Sequence, residues 1–204
     1  YCLPRNLKRK SVEELKELRE AGLAMLYVGA ESGDDEVLER VNKGETAAST
    51  ADALIKAGEA GLKRSVMILN GLGGLSLSKQ HALNSARLLN QTQPEFVSTL
   101  VVSFPQGMER FRERYPDFVE LNQQQLFSEL RQFVAELALD NSTFRSDHAS
   151  NALVLKGELG QDKDRLLEQF PALSNGVEVG IRSFLTVPVI SKDQIVGVLH
   201  LRSK

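Results

Sequence analysis

Cysteine, histidine and long apolar runs are all scarce in this chain, and each scarcity removes a class of function. A single cysteine, Cys2, among 204 residues excludes an intramolecular disulfide and fits a reducing cytoplasm. One cysteine also cannot build a zinc or iron–sulfur centre. The three histidines, His81, His148 and His200, are too far apart for metal-ligand spacing, so no metal site is expected within the chain. No apolar run approaches the roughly 20 residues that cross a bilayer, and no signal-peptide core is present, so no membrane role is expected. Charge of one sign is lacking too: 25 Lys and Arg against 27 Asp and Glu leave a net −2, which gives no reason to expect nucleic acid. The basic run Arg5, Lys8, Arg9, Lys10 reads as a solvated loop or helix start. The turn Gly71-Leu72-Gly73-Gly74 has neither the Gly-x-Gly-x-x-Gly spacing nor the Lys-Ser/Thr of a phosphate loop, and no serine stands in a nucleophile elbow.

What is present is an alternation of helical and strand patterns. Ser11-Val12-Glu13-Glu14 forms a capping box that opens a helix, with Val12, Leu15 and Leu18 at helical spacing. Ala21-Gly22-Leu23 closes it, and a strand is predicted over 24–30. The acids Asp34, Asp35 and Glu36 then open one or two helical turns stopped by Gly44, and Thr46 caps a helix over 47–60. Ala60-Gly61-Leu62 repeats the earlier junction before a second strand over 65–70. A third strand is predicted over 96–103, ended by Pro105 and Gly107. Strands separated by helices imply right-handed crossovers and a parallel sheet. Beyond these, 123–139 reads as a helix with Leu126, Leu130, Phe133, Val134 and Leu137 on one face, 141–151 as polar and irregular, and 162–170 as a short helix. After Pro171 the texture becomes β-rich, and 181–190 with 194–201 reads as an antiparallel hairpin joined by Ser191-Lys192-Asp193. The boundary falls near Phe170. The chain opens at Tyr1 and stops directly after a strand-like segment, so an excerpt of a longer product, or a join of pieces, is expected.

The stretch with most to say is Leu26-Tyr27-Val28-Gly29-Ala30-Glu31-Ser32-Gly33. A short apolar run suited to a buried strand stops on a carboxylate, a hydroxyl and a glycine. In parallel α/β folds, ligands sit at the carboxyl ends of strands. The alternative is a strand followed by a helix cap, with Ser32 or Asp34 as the acceptor. Both stay open on spacing. Asp147, His148 and Asn151 form a further polar cluster that could serve as a site, whereas the 71–74 turn reads as structural. Residue chemistry alone gives an α/β domain with an unidentified ligand site.

The order of motifs adds to this. Ala21-Gly22-Leu23, Tyr27 to Gly33, Val37-Leu38, Asn42-Lys43-Gly44-Glu45-Thr46, Ala60-Gly61-Leu62 and Gly71 to Gly74 together resemble the second half of a radical S-adenosylmethionine (SAM) enzyme core. The likeness is nearest to the branch holding the oxygen-independent coproporphyrinogen oxidase-like proteins. Phe144-Arg145-Ser146-Asp147-His148-Ala149-Ser150-Asn151, followed by Leu155-Lys156-Gly157, resembles a C-terminal motif of one such group. The resemblance implies the C-terminal half of a partial (β/α)6 barrel over 1–169, with a helical extension. It implies SAM and a [4Fe–4S] cluster as cofactors in an oxidoreductase. Glu31 would contact the ribose or amino acid part of SAM, with Ser32 beside it, Lys43 its carboxylate, and Ile68 to Gly71 its adenine. The family's Cys-x3-Cys-x2-Cys loop is missing, so this chain alone is expected to be inactive. From about Val177 the tail resembles the last two strands of a GAF domain, giving a second unit over 170–204. Competing expectations are a non-catalytic interaction module, its half-barrel completed by a partner chain at an unpaired sheet edge, or a sensory GAF-containing protein.

Overall fold

The computed structural model describes residues 1–104 and 107–171, and of the C-terminal stretch the backbone of 184–191 and 194–202. Pro105, the expected terminator of the third strand, the stretch 172–183 and the hairpin residues Lys192 and Asp193 lie outside the described residues.

Local chemistry accounts for the first elements. Helix α1 (Pro4–Lys8) begins with a proline, whose missing N–H costs nothing in a first turn. Helix α2 (Val12–Glu20) opens with the expected capping box: Glu14 N–H donates to Ser11 Oγ at 3.1 Å and Ser11 N–H to Glu14 Oε2 at 2.7 Å. Strand β1 (Met25–Glu31) follows, then α3 (Asp35–Arg40) and α4 (Ala47–Glu59), the latter capped by Thr46. The two Ala-Gly-Leu junctions are the same device. Gly22 (φ +105°) and Gly61 (φ +77°) take the left-handed conformation just past α2 and α4. Leu23 and Leu62 then donate back to Leu18 and Ala57 at 3.0 and 3.1 Å, as a Schellman cap requires.

Strand β2 (Lys63–Asn70), helix α5 (Gly74–Thr92) and strand β3 (Phe96–Val101) complete the expected parallel order β1-β2-β3. Helices α6 (Glu109–Arg112) and α7 (Gln123–Glu136) come next. The sheet then gains two strands inside or just past the stretch expected to be irregular. Strand β4 (Thr143–Arg145) pairs parallel with β3, and β5 (Lys156–Glu158) pairs antiparallel with β4. Each has three residues, too few to display an alternation, and β4 is embedded in a Ser/Thr/Asn-rich run with turn chemistry. Helix α8 (Leu159–Glu168) ends this unit.

The pleat sorts side chains onto two faces. Val28 and Ala30, Val66 and Ile68, Val97, and Phe144 face the helices and are buried against Leu54, Ala57, Ala82, Leu89, Phe133 and Val134. Each of the larger side chains among these, Val, Leu, Ile or Phe, contributes about 1.5–3 kcal/mol relative to exposure. The opposite face carries Tyr27, Met67, Phe96, Ser98, Leu100 and Arg145, all only partly covered. A second apolar cluster of Val37, Leu72, Leu77, Tyr115 and Phe118 clamps the 71–74 turn, where Tyr115 Oη donates to the Gly73 carbonyl at 2.6 Å.

The chain divides into two units, Tyr1–Pro171 and Ala172–Lys204. In the second, β6 (Phe184–Ser191) and β7 (Gln194–Arg202) pair antiparallel, Phe184 opposite Arg202 and Ser191 opposite Gln194.

Candidate functional site

Strand β1 does not end as a regular strand. Gly29 lies opposite Met67 but Glu31 lies opposite Ile68, so a bulge absorbs Ala30. Glu31 itself sits at φ +66°, a left-handed backbone that a glutamate takes only when its surroundings hold it there. Its side chain folds back over Gly29, where an added Cβ would collide with the carboxylate. Glycine at 29 is what leaves that space.

The carboxylate is met by Lys43, whose Nζ donates to Glu31 Oε1 at 3.0 Å. The two side chains are 22% and 12% exposed, so the pair is sheltered yet reachable. Lys43 is placed by the end of α3. Asn42 (φ +55°) plays the left-handed cap role expected of Gly44, and Lys43 N–H donates back to Leu38 at 2.9 Å. Asparagine tolerates this conformation because its short polar side chain bonds locally. Arg5 Nη2 adds a bond to the Lys43 carbonyl at 2.7 Å.

Of the two candidate caps, Asp34 caps α3, accepting from Val37 N–H at 2.9 Å. Ser32 is fully buried and does something else. Its hydroxyl accepts from Asp34 N–H at 3.0 Å and lies 2.8 Å from His81 Nδ1, while His81 Nε2 lies 3.0 Å from the Leu69 carbonyl. A carbonyl can only accept, so Nε2 carries a ring proton, and on the neutral ring Nδ1 accepts from the Ser32 hydroxyl. His81 thereby ties the turn after β1 to the end of β2. Gly33 completes the turn: its N–H donates to Ser85 Oγ at 2.9 Å, and a Cβ there would meet the Asn84 and Ser85 backbone of α5.

At the end of β2, Ile68 is buried on the helix-facing side, while Met67 and Leu69 alternate onto the other. Gly71 (φ +88°) donates its N–H to Glu129 Oε1 at 2.6 Å. Glu129, only 3% exposed on α7, also accepts from Asn70 Nδ2 at 2.7 Å and Ser78 Oγ at 2.6 Å. A buried carboxylate with three donors is well satisfied. It fixes the 70–71 bend as part of the scaffold.

Asp147, His148 and Asn151 occupy the loop between β4 and β5. Asn151 Nδ2 donates to the Thr99 carbonyl at 2.7 Å, and His148 Nδ1 lies 2.9 Å from Ser150 Oγ. The Asn151 bond fastens the loop to β3, as does Val101 N–H donating to Ser150 Oγ at 3.1 Å, while the His148–Ser150 contact is internal to the loop. No hydrogen bond joins the three side chains to one another among the described residues.

Cys2 forms a parallel bridge with Val28 along the outer edge of β1, and burial pushes its thiol above the ordinary value. Among the described residues, no group of three His, Cys, Asp or Glu side chains is placed to hold a metal ion, and no helix is long and apolar enough to cross a membrane.

Residues 4–89 match the Radical SAM superfamily. The matched stretch runs from α1 through most of α5 and contains the Glu31–Lys43 pair and the 68–71 bend. No curated protein matches the chain. Radical SAM chemistry uses SAM and a [4Fe–4S] cluster, and the two fit this chain unequally. An adjacent ammonium and carboxylate complement a zwitterionic amino acid group, so the strand ends suit SAM. One cysteine cannot hold the cluster.

Glu129 and His81 are site-shaping residues that residue patterning does not single out. Both had a signal in the spacing. Glu129 stands on the same helical face as Leu126, Leu130 and Phe133, and His81 stands at i+4 from Leu77 and i−4 from Ser85, all three buried.

Proposed function

We propose that the strand ends of residues 1–171 are the SAM-binding portion of a radical SAM oxidoreductase. The observation that carries this is the Glu31–Lys43 pair, built on a strained strand end inside the segment that matches the Radical SAM superfamily. On this reading Lys43 takes the SAM carboxylate, and Glu31 takes the ribose hydroxyls or the ammonium. The burial of Ile68 leaves the main chain of 68–71, with Met67 and Leu69, to meet adenine. Ser32 acts through the turn it holds rather than by touching ligand. When bound with its cluster, SAM supplies a 5′-deoxyadenosyl radical. This chain's residues orient SAM and neutralise its charged end, and the cluster cysteines come from outside these 204 residues.

Strands β1 to β3 then correspond to the last three of a (β/α)6 barrel. The run 144–151 favours the coproporphyrinogen oxidase-like branch, and the antiparallel pairing of β6 with β7 is compatible with the end of a GAF domain. A partner chain or preceding segment completes the barrel along β1, whose outer edge is bridged only at Cys2 among the described residues.

Titration calorimetry with SAM on the 204-residue chain tests the proposal. Saturable binding is expected, with Glu31→Ala weakening it about tenfold to a hundredfold, the worth of a charge-assisted hydrogen bond. Equal binding by wild type and Glu31→Ala removes Glu31 from the site.

A further inference from the structure

The sheet face turned away from the helices carries a cation that the fold does not use. Arg145 sits on β4 beside Ser98 of β3 and opposite Lys156 of β5. Its neighbour Phe144 is fully buried in the helix-facing core, so the pleat directs Arg145 to the other side. Arg145 Nε is buried without a hydrogen-bond partner, and no ion pair reaches the guanidinium among the described residues. Among the described residues its partner is the ring of Phe96, whose centroid lies 5.6 Å from the guanidinium carbon. Arg64 shows the contrast: its guanidinium is saturated by Glu95 and by the carbonyls of Leu54, Thr92 and Gln93. A buried N–H with nothing to accept from it is unfavourable, and such a group is explained when a ligand supplies the acceptor.

The register places this arginine relative to the Glu31 site. Gly29, Met67, Ser98 and Arg145 stand in one row across four strands. Neighbouring strands are about 4.8 Å apart, so Arg145 lies roughly 14 Å along the sheet from Gly29, over which the Glu31 carboxylate folds. The floor between them is a thioether and a hydroxyl, with no charge.

We propose that this row is a trough for an anionic small molecule, its carboxylate or phosphate held at the far end by Arg145 with the Ser98 hydroxyl and Lys156 alongside. The planar guanidinium, lying against Phe96, presents paired N–H donors that match an oxyanion's two oxygens. The inference rests on the SAM reading only for direction: the bound molecule's other end then points toward Glu31. The anion site itself stands on Arg145.

The test follows the arginine Nε–Hε signals of the 204-residue chain by NMR during separate titrations with succinate and inorganic phosphate. A saturable shift of the Arg145 signal is expected with at least one of them. Read from the backbone amide shifts of Ser98 and Lys156, which every variant retains, Arg145→Gln should weaken that binding tenfold or more, Arg145→Lys by less, and Lys16→Gln, on the exposed face of α2, not at all. Succinate preference identifies a carboxylate substrate and phosphate preference a phosphate ester. No saturable Arg145 shift with either anion, or undiminished binding by a folded Arg145→Gln chain, overturns the inference. A parallel SAM titration separates the two readings. Anion binding without SAM binding leaves this site standing and removes the other, and SAM binding with a silent Arg145 does the reverse.

Discussion

Glu31 and Arg64 occupy opposite ends of the same sheet and show what a charged residue does in each place. At the amino-terminal end, Arg64 donates from main chain and side chain to Glu95 and to three carbonyls, leaving no donor for a ligand. It is a structural lock. Arg64→Ala should cost about 2–3 kcal/mol in chemical denaturation, discounted from a fully buried pair because Glu95 is partly exposed. Burial acts to raise the Glu95 carboxyl, but the hydrogen bonds from Arg64 outweigh it and hold the group below its ordinary 4.5. A depressed folded value means that the pair's contribution is complete above 4.5 and fades as the pH falls through that lower value. Glu95→Gln should therefore flatten the acid limb of the stability curve, leaving the neutral-to-alkaline region parallel to wild type. A Glu95→Gln chain with the wild-type slope below 4.5 would show that the pair titrates without linkage to folding. At the carboxyl-terminal end, Glu31 spends its backbone on a left-handed bend so that its carboxylate lies over Gly29. The sequence marks Glu31 as a carboxylate at a strand end. The bend is not legible there, because only the bulge opposite Met67 and Ile68 imposes it. Glu129 is hidden for a related reason: the residues it serves, Asn70, Gly71 and Ser78, are more than 50 positions away along the chain.

Among the elements, the caps set by neighbouring residues largely match expectation, and the two shortest strands, set only by distant pairing, do not. Capping boxes and Schellman junctions are set by three to six adjacent residues, and Ser11, Thr46, Gly22 and Gly61 do what their chemistry predicts. Strands β4 and β5 are three residues each, and only pairing with β3 makes them strands. Their discovery moves Arg145 from an irregular loop to a defined register position. The turn between β1 and α3 depends on close approach to α5, and this gives a direct test. Gly33→Ala pushes a methyl into the Asn84 and Ser85 backbone, which cannot withdraw as a side-chain tip can. A loss of about 2–3 kcal/mol is expected, together with displaced amide signals at Glu31 and Ser32 in an NMR spectrum. An unchanged melting curve would mean that α5 does not position the site.

At the scale of the whole molecule, residues 1–171 bury one large apolar core and one satellite beside the glycine turn. The first unit presents its polar strand ends, Glu31 with Lys43 and the 68–71 bend, at the same end of a parallel sheet, where α/β folds place ligands. These strand ends are proposed to bind SAM. The most direct measurement is a backbone amide NMR titration of the 204-residue chain with SAM. Saturable shifts concentrated at residues 29–33, Lys43 and 68–71 are expected, and their loss in Lys43→Ala. Shifts confined to other residues, or none that saturate, would contradict the proposal.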